Sequence, residues 1–287
     1  MKKHWLLLIL IVAIFLLLCW SLWWSNYGLK TVRYTVGGMS LPEGFNGYHI
    51  VQLSDLHSVS LGEDNGRLLK AIRAEEPDII VMTGDMVSRY DEDFSVTLAL
   101  CSALAEEYPV YYIRGNHEEG LATADWESYR AALAASRVQV LDNETVQLTA
   151  ENGDRINLTG LWYKLDYYHK YASHYRPVTE ETMYTILGEA PEGYNILLAH
   201  NPNYFPVYAA WGADVIFCGH IHGGMVWLPV LGGILSPETI LFPEYDGGIY
   251  QIEDKTMILS RGLGRGRMGV RLFNPPELVC VTLTREE

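Results

Sequence analysis

The chain has 287 residues and a net charge of −14, with 35 Asp and Glu against 21 Lys and Arg. Cations this few and this scattered exclude an electrostatic nucleic-acid footprint, so no nucleic-acid partner is expected. A hydrophobic content of 49% with 26 Gly and 12 Pro excludes a disordered or fibrous chain, and the length predicts one sizeable domain plus an appendage. Its core is large enough to stand without disulfides or structural zinc. A polyanionic substrate would be repelled at long range unless bound cations override the field. The four cysteines, Cys19, Cys101, Cys218 and Cys280, form no C-x-x-C pair, and the last three sit among core-like residues.

From Trp5 to Trp24 the sequence is apolar apart from Ser21. At 1.5 Å per residue, about 20 residues span a hydrocarbon core of about 30 Å. A cleaved signal peptide has a shorter apolar region and a small-residue cleavage site. This run ends instead on Trp20, Leu22, Trp23 and Trp24, which suit a membrane interface. Leu18 is too large to precede a lipidated cysteine at Cys19. The segment therefore reads as a single-pass transmembrane helix in the cell membrane. Lys2 and Lys3 precede it, whereas Lys30 and Arg33 follow at a distance. The positive-inside rule then places the rest of the chain on the extracytoplasmic side. The competing reading, a buried core helix, lacks an amphipathic partner later in the chain.

After a linker from Ser25 to Lys30, Thr31–Val36 alternates as a strand. Short runs rich in Val and Ile follow at His49–Leu53, Ile79–Met82, Val110–Ile113, Asn195–Leu198 and Val215–Cys218. Such runs read as strands buried on both faces. Helical spacing appears at Asn65–Glu75, ending before Pro77, and at Ser95–Glu107, Thr123–Ala135 and Glu180–Leu187. Val138–Leu141, Val146–Leu148 and Ile156–Leu158 read as consecutive antiparallel strands, with Asn152-Gly153 as a turn. Gly247 to Thr284 is strand-rich, with a hairpin turn at Glu253-Asp254-Lys255. Strands separated by helices indicate a layered α/β fold.

Each of five strand runs leads into metal-capable residues. These are Asp55-Leu56-His57, Gly84-Asp85, Gly115-Asn116-His117, His200-Asn201 and Gly219-His220-Ile221-His222. Ligands of α/β sheets bind beyond the carboxyl ends of the strands, so neighbouring strands would bring all five clusters to one rim. Two carboxylates, one amide oxygen and four imidazoles form a mixed N/O donor set. It suits divalent Mn, Fe or Zn better than calcium or copper(I). Seven donors exceed what one tetrahedral ion needs and fit two ions sharing a carboxylate.

The blocks "SDLH", "TGD", "RGNHE", "LAH" and "CGHIHGG", in this order from Ser54 to Gly224, resemble the calcineurin-like metallophosphoesterases. The remainder to about Glu277 resembles their membrane-anchored bacterial branch. The resemblance implies a layered sandwich of mixed β-sheets flanked by helices, as residues 31–287, behind an anchor and linker of residues 1–30. It implies that Asp55, His57 and His222 bind one metal, that Asn116, His200 and His220 bind the other, and that Asp85 bridges both. His117 resembles the histidine that donates a proton or hydrogen bond to the substrate or leaving group, and Glu118 stands where the family often supports it. A metal-bound water would attack phosphorus. Where many relatives carry Asp or Asn after G-D, this chain has Ser88, Arg89 and Tyr90, and Arg89 is a candidate substrate-phosphate contact.

The implied function is hydrolysis of a phosphodiester or pyrophosphate bond in a phosphorylated small molecule or a lipid-linked or nucleotide-linked substrate, such as a UDP-diacylglucosamine-like molecule. The alternatives are a broad-specificity phosphomonoesterase and a non-catalytic metal-binding surface protein. An isolated histidine is more often a satisfied core residue, and His49, His169 and His174 are read as structural or surface groups. The Gly-rich stretch with Arg261, Arg265, Arg267 and Arg271 reads either as an anion-holding loop or as a solvated turn. Met225–Leu235 reads either as a core strand and turn or as an apolar lip over the metals that meets acyl chains.

Overall fold

Alternation along the apolar runs sends Ile79 and Val81 to one face of a strand and Ile80 and Met82 to the other, and both faces are covered. The computed structural model describes residues 2–168, 175–224, 226–228, 230–237, 240–266, 269 and 271–286. His169, His174 and Arg267, read above from the sequence, lie outside the described residues. The first six-stranded sheet has the order β1 (Lys30–Gly37), β14 (Glu277–Thr284), β2 (His49–Leu53), β3 (Ile79–Met82), β4 (Val110–Tyr112) and β5 (Gln139–Val140). Its neighbours are parallel except β14 and β2. The second sheet runs β12 (Gly248–Ile252), β13 (Lys255–Leu259), β9 (Val215–Cys218), β8 (Asn195–Ala199), β7 (Arg155–Leu161) and β6 (Thr145–Thr149). Its central strands are parallel, with an antiparallel pair at each edge.

The two sheets pack face to face through Ile50, Val81, Ile113, Leu158, Leu198 and Phe217, among others. Fully burying each such side chain contributes about 1.5–3 kcal/mol over leaving it exposed. The buried Gln52 ties the sheets together, its amide donating to Thr83 Oγ1 (2.9 Å) and to the Cys218 carbonyl (2.8 Å). Helices α2 (Gly66–Arg73), α3 (Ser95–Ala105) and α4 (Thr123–Ala135) cover the outer face of the first sheet. Helices α5 (Glu180–Leu187) and α6 (Phe205–Trp211) cover that of the second. The expected layered sandwich of mixed sheets flanked by helices is therefore the fold.

Several expectations are corrected. Val138–Leu141 does not pair with Val146–Leu148. It becomes β5 beside β4, because the Leu141 N–H bonds the Tyr112 carbonyl at 2.8 Å and the Leu141 side chain fills the space between the sheets. Only β6 and β7 form the antiparallel pair, turning at Gly153, whose φ is +89°. The ligand clusters lie at the strand ends of two facing sheets, three on the first and two on the second, rather than on the rim of one sheet. The hairpin turn at Glu253-Asp254 forms as expected between β12 and β13.

Helix α1 (Lys2–Tyr27) is long and apolar enough to cross a membrane. From His4 to Trp24 every side chain is exposed except Ser21, an apolar surface that fits association with a membrane. Ser21 and Ser25 are buried against the folded domain: Ser21 Oγ accepts from the Phe273 N–H (3.0 Å) and Ser25 Oγ from the Asn274 N–H (3.0 Å). A short hairpin, β10 (Trp227–Leu228) with β11 (Gly232–Gly233), follows the last ligand cluster.

Candidate metal centre

The loops leaving β2, β3, β4, β8 and β9 bring Asp55, His57, Asp85, Asn116, His117, His200, His220 and His222 to one end of the sandwich. Six of these eight line a cleft of about 420 Å³, together with Ser88, Arg89 and Arg265. Asp55, His57, Asp85, His220 and His222 all have positive φ, between 49° and 77°. That region is unfavourable for residues with a Cβ, by roughly 1–2 kcal/mol each. Five strained positions in one site mark a backbone held by its surroundings for a function. Close contacts hold it. Gly84, itself at φ +87°, lies so near the next loop that a Cβ there would come within 2.5 Å of the Gly115 nitrogen. A Cβ on Gly115 would come 2.6 Å from the Asp85 nitrogen.

Asp55, His57, Asp85 and His222 each offer a ligand atom, all within 4.8 Å of one another. Asp85, His200 and His220 form a second such group, so Asp85 belongs to both. His57 Nε2 and His222 Nε2 stand 3.1 Å apart, and Asp55 Oδ1 lies 3.3 Å from His222 Nε2. On the other side His200 Nε2 is 3.2 Å from Asp85 Oδ2. The Asn116 carboxamide reaches the same point, 2.8 Å from His220 Nδ1, 3.2 Å from His200 Nε2 and 3.3 Å from Asp85 Oδ2. Turned with its oxygen inward, it adds an acceptor to a cluster of carboxylate oxygens and imidazole nitrogens, which is the donor set of a coordination shell. Turned the other way, its amide would donate to those atoms and its oxygen would accept from Arg89 Nη2 at 2.8 Å. The donor chemistry and the shared carboxylate fit two divalent ions.

Supporting groups orient these ligands. His200 Nδ1 donates to the Thr83 carbonyl (2.7 Å), which turns Nε2 toward the site as the atom that would bind an ion once its proton is lost. The Ser54 hydroxyl donates to Asp55 Oδ2 (2.7 Å), and the His220 N–H reaches both Asp55 oxygens at 3.1 Å. Burial pushes His57 down to about 3 and His222 well below its ordinary range, which keeps both imidazoles neutral as ligands must be. Burial also opposes a charge on His200, but the Asp85 carboxylate beside it prevails and raises it to about 9. Asp55 is raised by burial and by the Asp85 charge. Burial likewise opposes ionisation of Asp85, yet the surrounding imidazoles hold it well below the usual carboxylate range.

His117 stands beside this group with its ring edge-on to His57, centroids 4.5 Å apart. Its Nδ1 accepts from the Arg89 N–H (3.1 Å), so the neutral ring carries its proton on Nε2. The Asp85 Oδ1 atom accepts from the His117 N–H at 2.7 Å. Arg89 lines the cleft, and its guanidinium donates to the Asn116 carbonyl (3.1 Å). Glu118 does not support His117. Its carboxylate turns away and accepts from the N–H groups of Asp85 (2.8 Å), Met86 (2.8 Å) and Gly115 (2.9 Å) and from the Tyr112 hydroxyl (2.6 Å). It clasps two ligand loops together, a role that its position directly after Asn116-His117 does not disclose.

The arginine-rich stretch divides by environment. Arg271 is buried and donates to the carbonyls of Asn274 (2.7 Å), Gly262 (3.1 Å), Gly264 (2.5 Å) and Arg261 (2.5 Å), so it organises the loop. Arg261 stacks on Trp227, 4.6 Å from the ring centroid. Arg265 lines the cleft. Asp91, whose carboxylate accepts from the Ser58 hydroxyl (2.6 Å) and the Ser88 N–H (2.7 Å), also lines it, and no sequence signal singled it out. Tyr168 packs on His220 and His200, ring centroids 5.4 and 6.0 Å away.

Residues 48–224, which carry all five clusters, match the calcineurin-like phosphoesterase family. The chain is 28% identical over 260 residues to the metallophosphoesterase YkuE of Bacillus subtilis, covering 89% of this chain and 85% of that protein. It is 28% identical over 317 residues to the UDP-2,3-diacylglucosamine pyrophosphatase LpxG of Chlamydia trachomatis, covering 89% and 90%. It is 26% identical over 243 residues to the phosphodiesterase YaeI of Escherichia coli, covering 82% of each. With its paired donor groups at the strand ends, the chain belongs to the calcineurin-like phosphoesterase family and is a metal-dependent phosphoric ester hydrolase.

Proposed function

We propose that the chain hydrolyses a phosphodiester or pyrophosphate bond, with Asp55, His57, Asp85 and His222 holding one divalent ion and Asp85, Asn116, His200 and His220 the other. The observation that carries this reading is the membership of Asp85 in both donor groups. Two ions in these shells would supply Lewis acidity toward phosphate oxygens and an activated water. The mixed donors favour Mn, Fe or Zn. His117 presents its Nε2 proton to the leaving oxygen, a task suited to an imidazole. Arg89 and Arg265, on the cleft wall, neutralise non-bridging phosphate oxygens.

Residues 1–30 serve as anchor and linker and residues 31–287 as the hydrolase domain. Lys2 and Lys3 before the span favour an extracytoplasmic domain. A domain so placed meets lipid-linked phosphoesters of the outer leaflet rather than a nucleotide pool. Similarity to LpxG supports a substrate that joins an acylated, lipid-like part to a phosphate or pyrophosphate. The test is turnover of bis-p-nitrophenyl phosphate against p-nitrophenyl phosphate by the full chain in detergent, with Mn, Fe and Zn each supplied. The diester should turn over faster. Faster turnover of the monoester would make the protein a phosphomonoesterase, and no hydrolysis with any metal would overturn the assignment.

A further inference from the structure

The lip beside the metal cleft is apolar and uncovered among the described residues. Val230 is fully exposed, and Leu231, Leu241 and Phe242 are more than half exposed. They belong to one folded unit: β10 pairs with β11, the Ile234 N–H bonds the Val226 carbonyl (2.9 Å), and the Phe242 N–H bonds the Ile234 carbonyl (2.9 Å). Hydrogen bonds continue from this unit to the membrane helix. The Trp227 N–H donates to the Leu272 carbonyl (3.1 Å), the next residue's N–H donates to Ser21 Oγ, and Asn26 Nδ2 donates to the Arg271 carbonyl (3.1 Å).

These contacts set the depth of the domain. Ser21 lies six residues before Tyr27, about 9 Å along the helix axis, and within the apolar run that ends at Trp24. When that run fills the hydrocarbon core, Leu272 and Phe273 lie at the membrane boundary, not above it. Three strand-to-strand steps, from Leu272 through Val226 and Ile234 to Phe242, cover only about 14 Å. Beside the helix end, a groove of about 400 Å³ is lined by Trp24, Leu29, Arg67 and Lys70. With the helix so seated, Arg67 and Lys70 would stand at the level of lipid phosphates, on a chain whose net charge is −14.

We propose that Val230, Leu231, Leu241 and Phe242 insert into the leaflet into which α1 emerges, so that the cleft, walled by Pro237 and Arg265, opens onto the lipid surface. This rests on the anchor reading above. The substrate would then enter from the bilayer with its acyl part against the lip and its phosphate toward the metals.

The test uses the full chain in nanodiscs of phosphatidylcholine and phosphatidylglycerol containing acyl-chain doxyl lipid. A bimane on native, exposed Cys19 reports insertion of the anchor. In a Cys19→Ala background, Leu231→Cys and Phe242→Cys report the lip. Glu151→Cys, on the exposed β6–β7 turn at the far end of the sheets, is the control. The proposal expects quenching at 231 and 242 several-fold above that at 151 and comparable to that at Cys19. Quenching at Cys19 with none above control at 231 and 242 overturns the lip and keeps the anchor, and points to a protein cover such as a second copy. An unquenched Cys19 overturns both.

Discussion

Replacing Glu118 with Gln removes one acceptor oxygen and leaves the shape unchanged. Oε2 accepts from Asp85 N and Gly115 N, and Oε1 accepts from Met86 N, from Val87 N at 3.3 Å and from Tyr112. Whichever oxygen becomes NH2, two backbone N–H groups face a donor instead of an acceptor. A buried donor left unsatisfied costs about 1–3 kcal/mol, so Glu118→Gln should lose roughly 2–6 kcal/mol. At about 2–4 °C per kcal/mol for a domain of this size, a mid-range loss lowers Tm by roughly 10 °C. The clasped loops carry Asp85 and Asn116, so metal affinity should fall as well. Thermal unfolding of metal-loaded and chelator-treated protein, with metal content measured alongside, reads both effects. A variant that keeps its Tm and metals and loses only kcat would refute the clasp and return Glu118 to a role through His117.

His117→Asn should lower kcat by roughly 10²–10⁴ with both metals retained, and an unchanged kcat would remove His117 from proton donation. Metal binding at pH 7.5 should release protons, because the ion-free protein holds His200 protonated up to about 9 and a ligand imidazole must be neutral. Heats of binding should then depend on the ionisation enthalpy of the buffer, and affinity should weaken as pH falls and protons compete for the ligands. Buffer-independent heats would contradict that assignment. Arg271→Ala orphans four carbonyls and should destabilise the fold by several kcal/mol at roughly 1 kcal/mol or more each. Arg265→Ala should raise KM with little change in Tm; the reverse pattern would interchange the two roles.

The ligand-bearing strands were legible because they are buried on both faces, which forces continuous runs such as Ile79–Met82. The donor residues were legible because metal chemistry restricts them to a few types directly after those runs. The division into two sheets was not legible, since His49–Leu53 and Asn195–Leu198 carry the same pattern although they lie in facing layers. The two-residue β5 was misassigned because its partner is chosen by tertiary packing around Leu141, not by its neighbours in sequence. Arg271 and Arg265 share one Gly-rich stretch, and only the fold buries one among carbonyls and leaves the other in the cleft. The role of Glu118 depends on main-chain N–H groups about 30 residues away, which no local pattern encodes.

The central claim is that Asp85 joins two metal sites. Crystals grown with manganese, with diffraction recorded near the manganese absorption edge, test it most directly. Two anomalous peaks about 3.5–4 Å apart are predicted, one on each side of the Asp85 carboxylate, with Asp55, His57 and His222 around one and Asn116, His200 and His220 around the other. A single peak, or peaks that Asp85 does not share, would contradict the account.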